Sequence, residues 1–119
     1  MSMAIFSRNT DEAVHLRDLF IKMLPAYGIV TDCVAYSDQN ALSADTLQKD
    51  FRYGLICCES ETDLLLALAM MKLRPDCKVV LVVANDELAV QSYLLGPKYC
   101  CRRPVNEIAM QAILCRFSA

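Results

Sequence analysis

Hydrophobic and polar positions alternate with two different periods along the chain, and the places where the period switches mark out its elements. Ala4 to Ser7 reads as a short strand, and Asn9-Thr10-Asp11-Glu12 follows with a capping residue and a glutamate three positions on, a helix-start pattern. In the helix this predicts, Ala13, Leu16, Phe20 and Met23 recur at helical spacing, Val14 and Leu19 widen the stripe, and Pro25 and Gly28 end it. Ile29 to Tyr36 reads as a second, more polar strand, and Thr31-Asp32-Cys33 within it point to a sheet edge. Ser37-Asp38 opens a second helix carrying Leu42, Leu47 and Phe51, and Tyr53 to Cys58 is the third strand.

The second half repeats the alternation. Thr62 to Leu73 is a helix apolar nearly all round, closed by Arg74-Pro75-Asp76. Lys78 to Ala84 is too uniformly apolar and β-branched for a strand with one wet face, which places it mid-sheet with both faces covered. Asn85-Asp86 caps a fourth helix through Leu88, Tyr93 and Leu94, and Gly96-Pro97 turns the chain into a fifth strand, Lys98 to Arg102. Asn106 caps a last helix with Ile108, Ala112 and Ile113 on one face.

Strands alternating with helices through short connections predict a three-layer, doubly wound α/β fold. Its five-stranded parallel sheet takes the flavodoxin-like order 2-1-3-4-5, with residues 1–119 forming one domain. In such sheets functional groups collect at the carboxyl ends of the strands, beside the point where strand order reverses. Those ends are Ser7-Arg8-Asn9, Glu59-Ser60, Ala84-Asn85 and Arg102-Arg103-Pro104.

Composition narrows the classes of function. A chain of 119 residues that is 55% hydrophobic and 22% charged supports one packed core rather than disorder. A net charge of −2 and a pI near 5.3 offer no basic face for nucleic acid. The longest apolar run, Leu64 to Met71, falls far short of the roughly 20 residues a membrane span needs. The first residues, MSMAIFSRN, lack a signal peptide's charged start and apolar stretch, and a cytoplasmic location is expected. Seven cysteines, an odd number set mostly in apolar runs, read as small core hydrophobes rather than a disulfide framework. Cys57 and Cys58 point to opposite faces of a strand and do not chelate one ion together, so no metal site is expected.

At this point the chain resembles the receiver domains of bacterial response regulators, over essentially all its length in element order. YGLICCE, Tyr53 to Glu59, resembles the end of the receiver third strand, with Glu59 at the position of the phosphate-accepting aspartate. Arg103-Pro104 stands where the family has Lys-Pro. Ser7, Arg8 and Asn9 occupy the place of the acids that hold magnesium, and Val83-Ala84 that of the switch threonine or serine. The aromatic switch position falls on Cys100, with Tyr99 one residue off and on the other face. The resemblance implies a degenerate receiver, a pseudoreceiver, that is not phosphorylated by the usual chemistry. Phosphoryl transfer needs a well-placed carboxylate, a divalent cation and a further cation near the oxygens. Two readings of Glu59 follow: a solvated strand-end carboxylate, or a permanent substitute for the phosphorylated acid, with Arg8 and Arg103 replacing metal and lysine.

The resemblance also implies a non-catalytic signalling role exerted through protein contacts. The face formed by the fourth helix, fifth strand and fifth helix, with Tyr93, Leu94, Tyr99, Met110 and Leu114, would meet a protein partner or a second copy, although Leu94 itself reads as core. Receivers are often followed by a DNA-binding output domain that regulates transcription, so the chain is either a complete protein or a module of a longer one. The alternative is a small-ligand-binding protein, or a flavodoxin-like or thiol enzyme, using the same crevice. Against it, SRNTDEA has no glycine and sets Asp11 and Glu12 where a flavin phosphate would bind, and a phosphocysteine carrier would need cysteine at Ser7. His15 lies inside the first helix, away from the strand ends. No cofactor is expected.

Overall fold

Side chains alternate across a parallel sheet, and both faces of this one are apolar, so the chain has to cover both. The structure, a computed structural model, describes residues 2–119. Strands β1 (Ser2–Phe6), β2 (Asp32–Tyr36), β3 (Phe51–Cys58), β4 (Lys78–Val83) and β5 (Tyr99–Arg102) lie in the order β2-β1-β3-β4-β5, every pair parallel. The helices are α1 (Thr10–Met23), α2 (Gln39–Gln48), α3 (Glu61–Leu73), α4 (Asp86–Tyr93) and α5 (Glu107–Ser118). This is the doubly wound topology that the alternation predicts. Ala4, Phe6, Ile56, Cys58, Leu81 and Val83 pack under α2, α3 and α4. Met3, Ile5, Leu55, Cys57, Val80 and Val82 pack under α1 and α5. β4 lies between β3 and β5 with Val79 to Val83 at most 2% exposed, and β2 is an edge strand, both as expected. Each fully buried Leu, Ile or Phe contributes about 1.5–3 kcal/mol, so the two-sided burial of β3 and β4 anchors the sheet.

Local chemistry sets where the helices begin. Asn9, Asp38, Asn85 and Asn106 accept through their side chains from the backbone N–H of Glu12, Asn40, Leu88 and Ala109. Helix α3 differs, because Ser60 makes no side-chain cap.

Several boundaries and helix phases depart from the sequence reading. β1 ends at Phe6, one residue before Ser7. β2 begins only at Asp32, because Pro25 starts a 3-10 turn over Leu24–Tyr27 that Gly28 closes with a φ of 75°. Phe51 belongs to β3 rather than to the second helix, and its buried ring meets Tyr36 edge-on with centroids 6.1 Å apart. In α2 the inward residues are Leu42 and Thr46, while Leu47 is exposed. Ser92 takes the inward place on α4, its hydroxyl satisfied by the carbonyl of Ala89, which turns Leu94 out to water. On α5 the buried stripe is Met110, Ile113, Leu114 and Phe117, at i, i+3, i+4 and i+7, leaving Ile108 outside.

Candidate functional site

The loops after β1, β3, β4 and β5 meet where the sheet order reverses, and they bring five charged side chains into one crevice. Ser7 follows β1 and is fully buried. Its N–H donates to the carbonyl of Tyr36 at 3.0 Å, and its hydroxyl donates to Glu12 Oε1 at 2.6 Å. The same hydroxyl accepts from the N–H of Asn9 at 3.2 Å. A capping box would turn the Glu12 carboxylate back to that N–H. Here Ser7 takes it, and the carboxylate of Glu12 turns into the crevice instead.

Arg8 crosses to the start of α3. Its Nε donates to Asp63 Oδ1 at 2.8 Å, its Nη2 lies 2.7 Å from the same oxygen, and Nη2 also donates to Gln39 Oε1 at 2.9 Å. Asp63 has no exposed side-chain surface, and its Oδ2 accepts from the N–H of Glu59 at 2.9 Å. Asp63 thus ties the start of α3 back to the end of β3, and it fixes the backbone from which Glu59 projects.

The side chain of Glu59 accepts from Arg103 Nη1 at 2.8 Å, and Arg103 Nη2 donates to Glu12 Oε1. Arg103 continues the line of β5, its N–H donating to the carbonyl of Val83 at 3.0 Å, and precedes a cis bond to the exposed Pro104. Burial lowers the pKa of Arg103, but the Glu59 hydrogen bond and the charges of Glu12 and Glu59 outweigh it, and the net shift is upward. The Nε of Arg103 is buried without a hydrogen-bond partner. Ala84 is half-buried, its N–H donating to the carbonyl of Cys58, and its methyl offers no hydroxyl to the crevice.

The structure therefore brings Ser7, Glu59 and Arg103 together and adds Glu12, read from the sequence only as a helix-start residue, together with Asp63 and Gln39, which the sequence reading did not single out. Arg8 lies in the same crevice but is bound to Asp63 rather than to Glu59. Asn9 serves as the cap of α1. The pattern Ser60-x-x-Asp63 was the local trace of the buried acid, since an acid three residues past a serine is a helix-start signal.

The interface candidates separate. Met110 and Leu114 are 3% and 0% exposed and belong to the core under α5, because the buried stripe of that helix runs through them. Tyr93 is 81% exposed. Tyr99 is half-buried on the α1 and α5 side, with the Arg116 guanidinium 5.1 Å from its ring, while Cys100 packs on the opposite face.

A magnesium site needs oxygen ligands that are free to coordinate. Glu12, Glu59 and Asp63 each accept from a guanidinium, and among the described residues no group of three or more His, Cys, Asp or Glu side chains is placed to hold a metal. Two guanidinium charges in the crevice oppose a further cation, so these residues do not fit the metal that a receiver fold implies. At Cys33, Cys58, Cys77 and Cys101 burial disfavours the thiolate, which is the reactive form. Burial pushes Cys58 and Cys77 up to about 12 and Cys33 and Cys101 up to about 11.

No family model matches the chain, and no curated protein resembles it in sequence. Solved structures do resemble it. A response regulator from Burkholderia pseudomallei, with a phosphorylated aspartic acid, superposes with a TM-score of 0.72 at 19% identity, over 95% of this chain and 65% of that one. The receiver domain of NtrX from Brucella abortus gives 0.72 at 20% identity, covering 98% of each chain. An adenylate cyclase from Rhodopirellula baltica gives 0.79 at 8% identity, over 98% of this chain and 86% of that one. The fold is that of response-regulator receiver domains, α/β with the strand order 2-1-3-4-5.

Proposed function

We propose that residues 1–119 act as one regulatory protein-interaction domain of the receiver type, which works without an acyl phosphate at its strand-end crevice. The observation that carries this reading is Arg103 bridging Glu59 and Glu12. In-line phosphoryl transfer asks for a free carboxylate oxygen with a divalent cation beside it. Glu59 instead carries a guanidinium, and the first-strand position where the receiver family has acids presents the cation Arg8. The glutamate arm is also longer than aspartate by about one carbon–carbon bond, which displaces the oxygen from in-line geometry. Glu59 then acts as a fixed substitute for the phosphorylated acid, and the domain signals through its surface.

The alternative of a thiol enzyme finds little support in thiols that burial keeps protonated. The test is incubation with acetyl phosphate and magnesium, followed by intact-protein mass measurement. No added phosphoryl mass is expected. A stoichiometric, magnesium-dependent adduct on Glu59 would overturn the proposal.

A further inference from the structure

Four exposed apolar side chains gather on one side of the molecule, while others such as Val30 and Ile108 stand apart from them. Leu65 of α3 is 64% exposed, and Val90, Tyr93 and Leu94 on or just after α4 are 67%, 81% and 80% exposed. Between the two helices runs a groove of about 290 Å³ lined by Glu61, Leu64, Leu65, Gln91 and Leu95. A second concavity lies on the outer side of α4, lined by Ala89, Val90, Tyr93 and Leu94. Both helices return antiparallel to the strands, so they run side by side in the same direction. Gln91 Nε2 donates to Glu61 Oε1 across the groove at 3.1 Å.

Charge on this face is biased by end. Glu61, Asp86 and Glu87 are exposed at the helix starts, where Arg102 pairs with Asp86 at 2.9 Å. Lys72 and Lys98 are exposed at the opposite end, with Asp76 beside Lys98, so a net negative end faces away from a net positive one. We infer that this α3–α4 face pairs with the same face of a second copy, its helices antiparallel across a two-fold axis. The inference rests on the reading of the chain as an interaction domain and supplies its partner.

Self-pairing requires a self-complementary patch. An apolar centre with acids at one end and lysines at the other meets that condition only when the copies run antiparallel. That arrangement sets each acidic end against the partner's lysines, and each helix start against the partner's helix ends, so the dipoles attract as well. Size agrees with this reading. An aromatic side chain buries roughly 150–250 Å², and the largest apolar patches on ordinary monomers reach about 300–600 Å². Tyr93 and three aliphatic side chains, with a polar rim around them, bring the face toward the ~800 Å² per partner of a standard interface. Tyrosine enrichment at an interface core fits as well.

Sedimentation equilibrium of the wild-type chain at concentrations on the order of 100 μM is expected to show a dimer. Leu94→Glu, a change at a side chain that is 80% exposed, is expected to weaken the dimer more than tenfold while leaving thermal unfolding in place. A chain carrying Glu61→Lys and Glu87→Lys, and another carrying Lys72→Glu and Lys98→Glu, are each expected to self-associate less than wild type. Mixed, they restore pairing, because each altered end then meets an opposite charge. A wild type that stays monomeric, a dimer indifferent to Leu94→Glu, or a mixture no better than its components overturns the inference. An acyl phosphate on Glu59 with the dimer intact would instead sink the reading of the crevice and leave this surface standing.

Discussion

Two arginines share the strand-end crevice, and they differ in what holds them. Arg8 is bound to Asp63, whose side chain has no exposed surface. Arg103 is bound to Glu12 and Glu59, whose side chains are 31% and 42% exposed. A buried carboxylate without its cation is costly, whereas a carboxylate at the surface turns to water when its partner leaves. The first pair is therefore structural: it ties β1 to the start of α3 and orients the Glu59 backbone. The second is partly exposed and can open at little cost.

The largest expected effect breaks the first pair. Arg8→Ala leaves Asp63 buried with only the Glu59 N–H as a partner. Removing one member of a fully buried pair costs roughly 3–5 kcal/mol; because Arg8 is itself 39% exposed, a loss of about 2–3 kcal/mol is expected. Urea unfolding at neutral pH measures it. A loss no greater than that of a Glu59 variant would erase the distinction between the two arginines.

The same contrast marks how far the sequence could be read. Element order, the edge position of β2 and the covered faces of β4 follow from patterns local to each element, and the strand order from the fold class they define. The meeting of Glu59 with Arg103 follows from strand ends alone, since any doubly wound sheet carries those loops to one edge. Asp63 was harder to see because its meaning lies in Arg8, 55 positions away, and an acid in the first turn of a helix is ordinarily solvent-facing. Glu12 was read as half of a capping box, and only the buried Ser7 hydroxyl frees it for another task. Helix phase failed where apolar residues lie all round. Leu94 and Ile108 fit a stripe as well as Ser92 and Met110 do until packing decides, and Leu94 then becomes surface.

Glu59→Gln tests the second pair. Arg103 keeps Glu12, and the lost ion pair is partly exposed, so a destabilisation of up to about 1 kcal/mol is expected at low ionic strength. At about 1 M salt, where screening acts over roughly 3 Å, the difference from wild type is expected to shrink toward zero. Urea titrations of both proteins at the two ionic strengths provide the measurement. A salt-independent loss would mean that Glu59 is held by something other than charge.

The smallest expected effect is a shift in acid sensitivity at Asp45, a carboxylate held chiefly by a neutral donor. The Tyr36 hydroxyl donates to Asp45 Oδ2 at 2.5 Å, and Lys49 lies 3.5 Å from the same oxygen. The Tyr36 hydrogen bond is the largest influence and draws the Asp45 pKa below its ordinary 3.8; burial opposes it, and the Lys49 charge adds to it. A folded pKa below the unfolded one gives stability that is present above 3.8 and lost as pH falls through the folded value. Tyr36→Phe removes the main cause, so the stability gap between wild type and variant is expected to be widest near neutral pH and to narrow below 3.8. Because a neutral hydroxyl supplies most of the hold, added salt is expected to leave this gap largely in place while it closes the one at Glu59. Unfolding of both proteins across that pH range, at low and high salt, decides the point. A gap that stays constant into acid would show that Tyr36 acts through its buried ring rather than through the Asp45 carboxylate.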